Sequence, residues 1–164
     1  MGLFNRKPEV QDEALSDLAQ MFASPELILD APTPGSDLLD PSRLDFSIAS
    51  LEFVDDYLDQ MRQRQLEDEN FGKLVLRCGA YVGEVILRNA TAKNYHWLDY
   101  KGALKINKIM KDFGENLVTA AVLWDGSDGL TFPLGKVAKF LENGREDSVH
   151  SFARVMLESP TEPR

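Results

Sequence analysis

Apolar residues crowd one stretch of the chain, Phe71 to Ala90 (FGKLVLRCGAYVGEVILRNA), on almost every side of a helix. At about 100° per residue, Phe71, Leu74, Val75, Cys78, Val82, Val85 and Ile86 share one face, and Leu76 and Leu87 form a second flank. Gly79 and Gly83 lie between them, one turn apart, and only Lys73, Arg77, Glu84 and Arg88 make a polar strip. A helix with so little polar surface must be wrapped by other elements, so the pattern predicts a central core helix.

The rest of the pattern supplies what could wrap it. Gln11–Phe22 has Leu15, Leu18, Ala19 and Phe22 at helical spacing. Pro25, Pro32, Pro34, Pro41 and Gly35 then exclude a sustained helix or a central strand over residues 24–45, although Leu27-Ile28-Leu29 and Leu38-Leu39 predict that parts of this segment dock on the body. Ser47 is placed to cap a long helix running to about Glu69, with Ile48, Leu51, Val54, Leu58 and Met61 as its apolar stripe. YHWLDY (95–100) reads as a strand with Trp97 turned inward.

Lys101–Phe113 reads as one amphipathic helix, with Gly114 as its C-cap. LVTAAVLW (117–124), the turn DGSDG and GLTFPL (129–134) predict a hairpin whose second strand is an edge or ends at Pro133. Gly135–Glu142 and Asp147–Leu157 predict two short helices separated by Asn143-Gly144. The sum is a helix-rich α+β fold, about six helices around a small, mostly antiparallel sheet of three or more strands. An N-terminal arm over residues 1–45 is expected to precede a single α+β domain over 46–164.

Composition narrows the function. A hydrophobic share of 43% is enough for a packed core. No window nears the roughly 18 uninterrupted apolar residues of a membrane span, so no membrane contact is expected. The opening MGLFNRKPEV lacks the apolar centre of a secretory signal, and one cysteine excludes an internal disulfide, so the chain reads as cytoplasmic. The net charge of −9 is unevenly spread: residues 1–70 hold 5 Lys and Arg against 16 Asp and Glu, a net of −11. Such a half repels phosphate backbones, which argues against nucleic acid, and attracts a basic protein.

Two constellations are candidates for that chemistry. Glu52, Asp55, Asp56 and Asp59 fall within about 100° of arc on one helix, as a partner-binding patch. Its mirror image is a lysine stripe, Lys101, Lys105, Lys108 and Lys111, which could meet it within one molecule or in a homodimer. Arg77, Tyr81, Glu84 and Trp97 form the alternative, a small-ligand pocket beside the core helix. The ordinary reading of each is a solvated face or the wet edge of a buried helix. With only His96 and His150, no zinc site can rest on histidines, and no cofactor or metal is expected. Cys78 on an apolar face suits inert packing, the DGSDG turn lacks the ligands of a calcium loop, and no hydrolase, phosphate-loop or dinucleotide motif occurs.

The order of signals resembles a loose group of small, uncharacterised bacterial proteins. These have a G-x-Y/F-x-G-E helix, a downstream Trp, and a strand ending in F-P before a Lys-containing helix. The matching positions are Gly79, Tyr81, Gly83, Glu84, Trp97, Phe132, Pro133 and Lys136, within residues 71–157. The group carries no agreed activity. The resemblance implies a non-enzymatic interaction protein, of the immunity type that neutralises a basic toxin by plugging its cleft with complementary charge.

Overall fold

A computed structural model describes residues 8–158. The fold is α+β and rich in helix: among these residues, seven α-helices surround a three-stranded antiparallel sheet. Its centre is α3 (Asp68–Asn89), whose residues from Leu74 to Ile86 are nearly all buried. The omnidirectional apolar pattern is satisfied by covering the helix with α1 (Asp12–Ala23), α6 (Pro133–Asn143), α7 (Val149–Glu158) and the sheet. α2 (Ser50–Arg62) packs on α6 and α7. No helix among the described residues is long and apolar enough to cross a membrane.

Strands β1 (His96–Leu98), β2 (Val122–Trp124) and β3 (Leu130–Thr131) pair in that order, with Trp97 opposite Leu123 and Leu123 opposite Thr131. Alternation along the strands then divides the interior. Trp97 and Leu123 face α3 in the main core. Leu98, Val122 and Trp124 face a smaller cluster with Ala103 and Met110, under α4 (Tyr100–Ile106) and α5 (Met110–Phe113).

The predicted arm is part of this body. Leu15, Ala19, Phe22 and Ala23 are buried in the same core as α3, because that helix needs cover on the flank α1 supplies. The N-terminus of α1 is also stitched to the sheet: Trp97 N–H donates to Asp12 Oδ1 at 2.7 Å, and Gln11 N–H donates to the Trp97 carbonyl at 2.8 Å. The boundary at residue 45 therefore separates no two packing units. After α1 the proline-rich segment runs through short 3₁₀ turns at Pro25–Ile28, Ser36–Leu38 and Pro41–Arg43.

Several predicted elements are shorter than their patterns, the strands β1 and β3 among them. The helix expected to reach Glu69 stops at Arg62, since the polar run from Gln63 to Gln65 has no apolar face to bury. Ser47 nevertheless caps its approach, Oγ accepting the Ser50 N–H at 3.1 Å. Lys101–Phe113 breaks into α4 and α5 at Asn107, which is extended and whose side chain accepts the Ile109 N–H at 3.0 Å. The strand from Leu117 begins only at Val122, because Asn116 captures the N–H groups of Val118 and Thr119 and holds Leu117–Thr119 as a 3₁₀ turn. Pro133 ends the hairpin by opening α6, where its fixed φ and missing N–H suit a first helical position.

Candidate functional site

The polar strip of α3 ties distant segments to the core helix. Arg77, almost fully buried, donates from Nη1 to the Ala31 carbonyl at 2.7 Å and to Thr33 Oγ1 at 3.0 Å, pinning the proline-rich segment. Burial lowers its guanidinium below the usual value, and these two acceptors satisfy it. The Tyr81 hydroxyl accepts the Phe46 N–H at 3.0 Å and shares a 2.7 Å hydrogen bond with Ser50 Oγ, fixing the entry to α2. Burial pushes that phenol up, so it stays neutral.

Glu84 divides its carboxylate. Oε2 accepts the Trp97 indole N–H at 2.9 Å, and Oε1 accepts Arg88 Nε at 2.9 Å. Arg88 lies 3.8 Å over the Phe46 ring and also donates to Ser16 Oγ. The cleft expected beside Glu84 and Trp97 is thus filled by the protein's own side chains. All four predicted ligand residues turn their polar atoms onto the chain itself.

The two glycines of the same helix complete the arrangement. A Cβ on Gly83 would fall on the indole of Trp97, and one on Gly79 would lie 2.9 Å from the Leu134 backbone. Gly83 admits the tryptophan, and Glu84 binds its N–H. Pro133 closes against the same glycine. Gly83, Glu84, Trp97 and Pro133 therefore form a packing lock, with Gly79 close against Leu134 one turn away.

The acidic stripe is also largely engaged. Asp55 is buried, not exposed as the patch requires: its carboxylate accepts Ser148 Oγ at 2.6 Å and the Val149 N–H at 2.8 Å. Asp56 and Asp59 both receive Arg145, at 2.7 and 3.3 Å. Glu52 alone of the four stands exposed without an ion pair among the described residues. The lysine stripe is exposed and split between α4, the loop after it and α5, and it does not meet the aspartates.

The remaining reactive groups serve the fold. Cys78 is wholly buried, and burial pushes its thiol well above its usual value. His96 pairs with Asp12 at 2.7 Å. Asp125 Oδ1 accepts the N–H groups of Ser127 and Gly129, which makes the DGSDG segment a self-bonded turn. No group of three or more potential metal ligands occurs among the described residues.

Two surface features lie outside the predicted sites. One is a pair of leucines, Leu27 at 65% and Leu29 at 80% exposure, in the turn after α1. The local pattern predicts that this segment docks on the body, but both leucine side chains face water. The other is a cleft of about 440 Å³ between the segment from α5 to β2 and the helices α6 and α7. Phe113, Val118, Phe132 and Phe152 line it, with Lys136 and Lys139 beside them. Comparison with known proteins finds no matching family model, no similar curated protein and no similar solved structure.

Proposed function

We propose that this protein is a non-enzymatic, cytoplasmic interaction protein that binds a basic partner through its acidic N-terminal half, in the manner of a toxin-neutralising immunity protein. The observation that carries this reading is the exposure of Leu27 and Leu29 between the exposed carboxylates of Glu26 and Asp30. Two large aliphatic side chains held open to water on one fixed turn offer a partner apolar area to bury. The support exists here: Arg77 holds the Ala31 carbonyl at the end of the turn, and Ala31 N–H donates to the Ile28 carbonyl at 3.1 Å. A partner with an apolar recess rimmed by lysine or arginine complements such a knob in shape and sign. Glu52 adds charge on α2, while Asp55 lies inside and Asp56 and Asp59 already hold Arg145.

The test is co-purification from the native host at low salt with three versions of the chain. Wild type is expected to retain one stoichiometric basic protein that moderate salt releases. Leu27→Asp with Leu29→Asp, and separately Glu26→Lys with Asp30→Lys, are expected to lose it. A partner retained equally by both double variants would overturn the reading.

A further inference from the structure

The cleft behind α6 goes beyond that surface. Its walls are aromatic and aliphatic, and Phe113 stays half exposed although it meets Phe132 edge-on, with ring centroids 5.6 Å apart. Two of its neutral polar side chains, Asn116 and Thr119, are already satisfied. Asn116 donates to the Phe113 and Gly114 carbonyls and accepts from Val118 and Thr119, while Thr119 Oγ1 donates to the Gly114 carbonyl at 2.8 Å. Lys136 is held by Asp147 at 2.9 Å, with its amine 5.9 Å from the centre of the Phe152 ring. Lys139 is exposed, lines the same cleft and makes no hydrogen bond or ion pair among the described residues, and its charge also acts on Asp147.

Gly135 gives a second, independent indication. It lies in the first turn of α6, where any other residue would favour the helix more, and its backbone is not in the left-handed region. A Cβ there would meet Phe132 at 3.5 Å and Val118 at 3.8 Å, both ordinary contacts. Packing therefore does not demand glycine at this position. Phe132, Val118 and Gly135 all line the cleft, so a longer side chain at this position would have to share that space.

We infer that the cleft is a binding site for a small amphipathic carboxylate, whose apolar body lies among Phe113, Phe132 and Phe152 and whose anionic end meets Lys139. A cleft of this volume, mostly apolar with an exposed lysine at its edge, suits a small amphipathic anion. The lysine supplies a charge-assisted bond without disturbing an existing pair. Its aliphatic stem extends the apolar wall up to the charge.

The experiment is calorimetric titration of the full chain with decanoate, decanol and decyltrimethylammonium, each kept below its aggregation concentration. Decanoate is expected to saturate at one site. Lys139→Gln is expected to weaken decanoate by about tenfold and to leave decanol unchanged, since only the charged bond is lost. Gly135→Leu is expected to abolish binding of both while the thermal midpoint holds. The inference is overturned if decanoate does not saturate, if the cationic amphiphile binds equally well, or if Gly135→Leu folds normally and still binds. Binding of an acidic peptide in preference to decanoate would overturn it as well.

Discussion

Oδ1 of Asp55, in the middle of α2, accepts the backbone N–H of Val149, the first residue of α7, at 2.8 Å, and the two lie 94 positions apart in the chain. The other carboxylate oxygen takes the Ser148 hydroxyl at 2.6 Å. α7 therefore receives its N-terminal cap from another helix, and one side chain both satisfies free backbone donors and fixes how the helices dock. Asp55→Ala is expected to cost about 1–3 kcal/mol, because a buried N–H loses its acceptor. Asp55→Asn keeps a carbonyl for Val149 and should stay within about 1 kcal/mol of wild type. Urea denaturation of the three chains measures the difference.

The same carboxyl sets a pH dependence of unusual sign. Burial pushes it above its usual value, against the hydrogen bonds from Ser148 and Val149 that pull it down. The folded chain then holds that proton more firmly than the unfolded one, so stability rises as pH falls from the raised value towards the ordinary one. Asp147 behaves oppositely: hydrogen bonds from Lys136 and Asn143 hold it low, and its contribution is present above the ordinary carboxylate range and lost as pH falls through the lowered value. Relative to Asp55→Asn, wild type should gain stability as pH falls from the raised Asp55 value to the ordinary carboxylate value. Relative to Asp147→Asn it should lose stability as pH falls further, from the ordinary value through the lowered one. Parallel pH titrations of the unfolding free energy decide both.

Glu84 and Trp97 form a pair buried almost completely on both sides. Glu84→Ala strands the indole N–H and releases Arg88, and is expected to cost about 3 kcal/mol or more. A double-mutant cycle with Trp97→Phe should return a coupling of roughly 1–3 kcal/mol. A coupling near zero would mean that the hydrogen bond does not hold β1 to α3.

Glycine substitutions along α3 should split sharply. Gly83→Ala drives a methyl into the Trp97 ring, and the crowding is expected to cost about 1–3 kcal/mol or more. Gly72→Ala meets nothing within 4 Å and should stabilise the helix by about 0.5–1 kcal/mol. Thermal unfolding of the two single variants makes the comparison directly.

Tyr95 is nearly buried, and its hydroxyl has no hydrogen-bond partner among the described residues. It borders a void of about 20 Å³ with Met156 and Leu157. Tyr95→Phe removes an unmet polar group at little loss of packing, so stability is expected to hold or rise by up to about 1 kcal/mol. A loss greater than that would place an ordered water on the hydroxyl.

Much of the fold was legible in residue order. The spacing from Phe71 to Ala90 marked α3 as central, and Trp97 read correctly as an inward strand residue, because hydrophobic periods of 3.6 and 2 reflect local geometry. Element ends were less legible where a side chain competes with the backbone, as Asn107 and Asn116 do. The candidate sites fared differently. A stripe such as Glu52, Asp55, Asp56 and Asp59 has a helical arc in sequence, but only the packing of α7 puts Asp55 indoors and brings Arg145 to its neighbours.

By itself, then, the sequence determined the α+β class, the core helix and the acidic bias of the N-terminal half. These follow from local periodicity and from counts that folding does not change. Only the tertiary structure decided which polar residues remain available. It spent Arg77, Tyr81, Glu84 and Asp55 on contacts between segments 13 to 94 positions apart, and left Leu27, Leu29 and the cleft beside Lys139 facing water. Whether a charge is free or paired depends on what arrives from elsewhere in the chain, and spacing along one element carries no record of it.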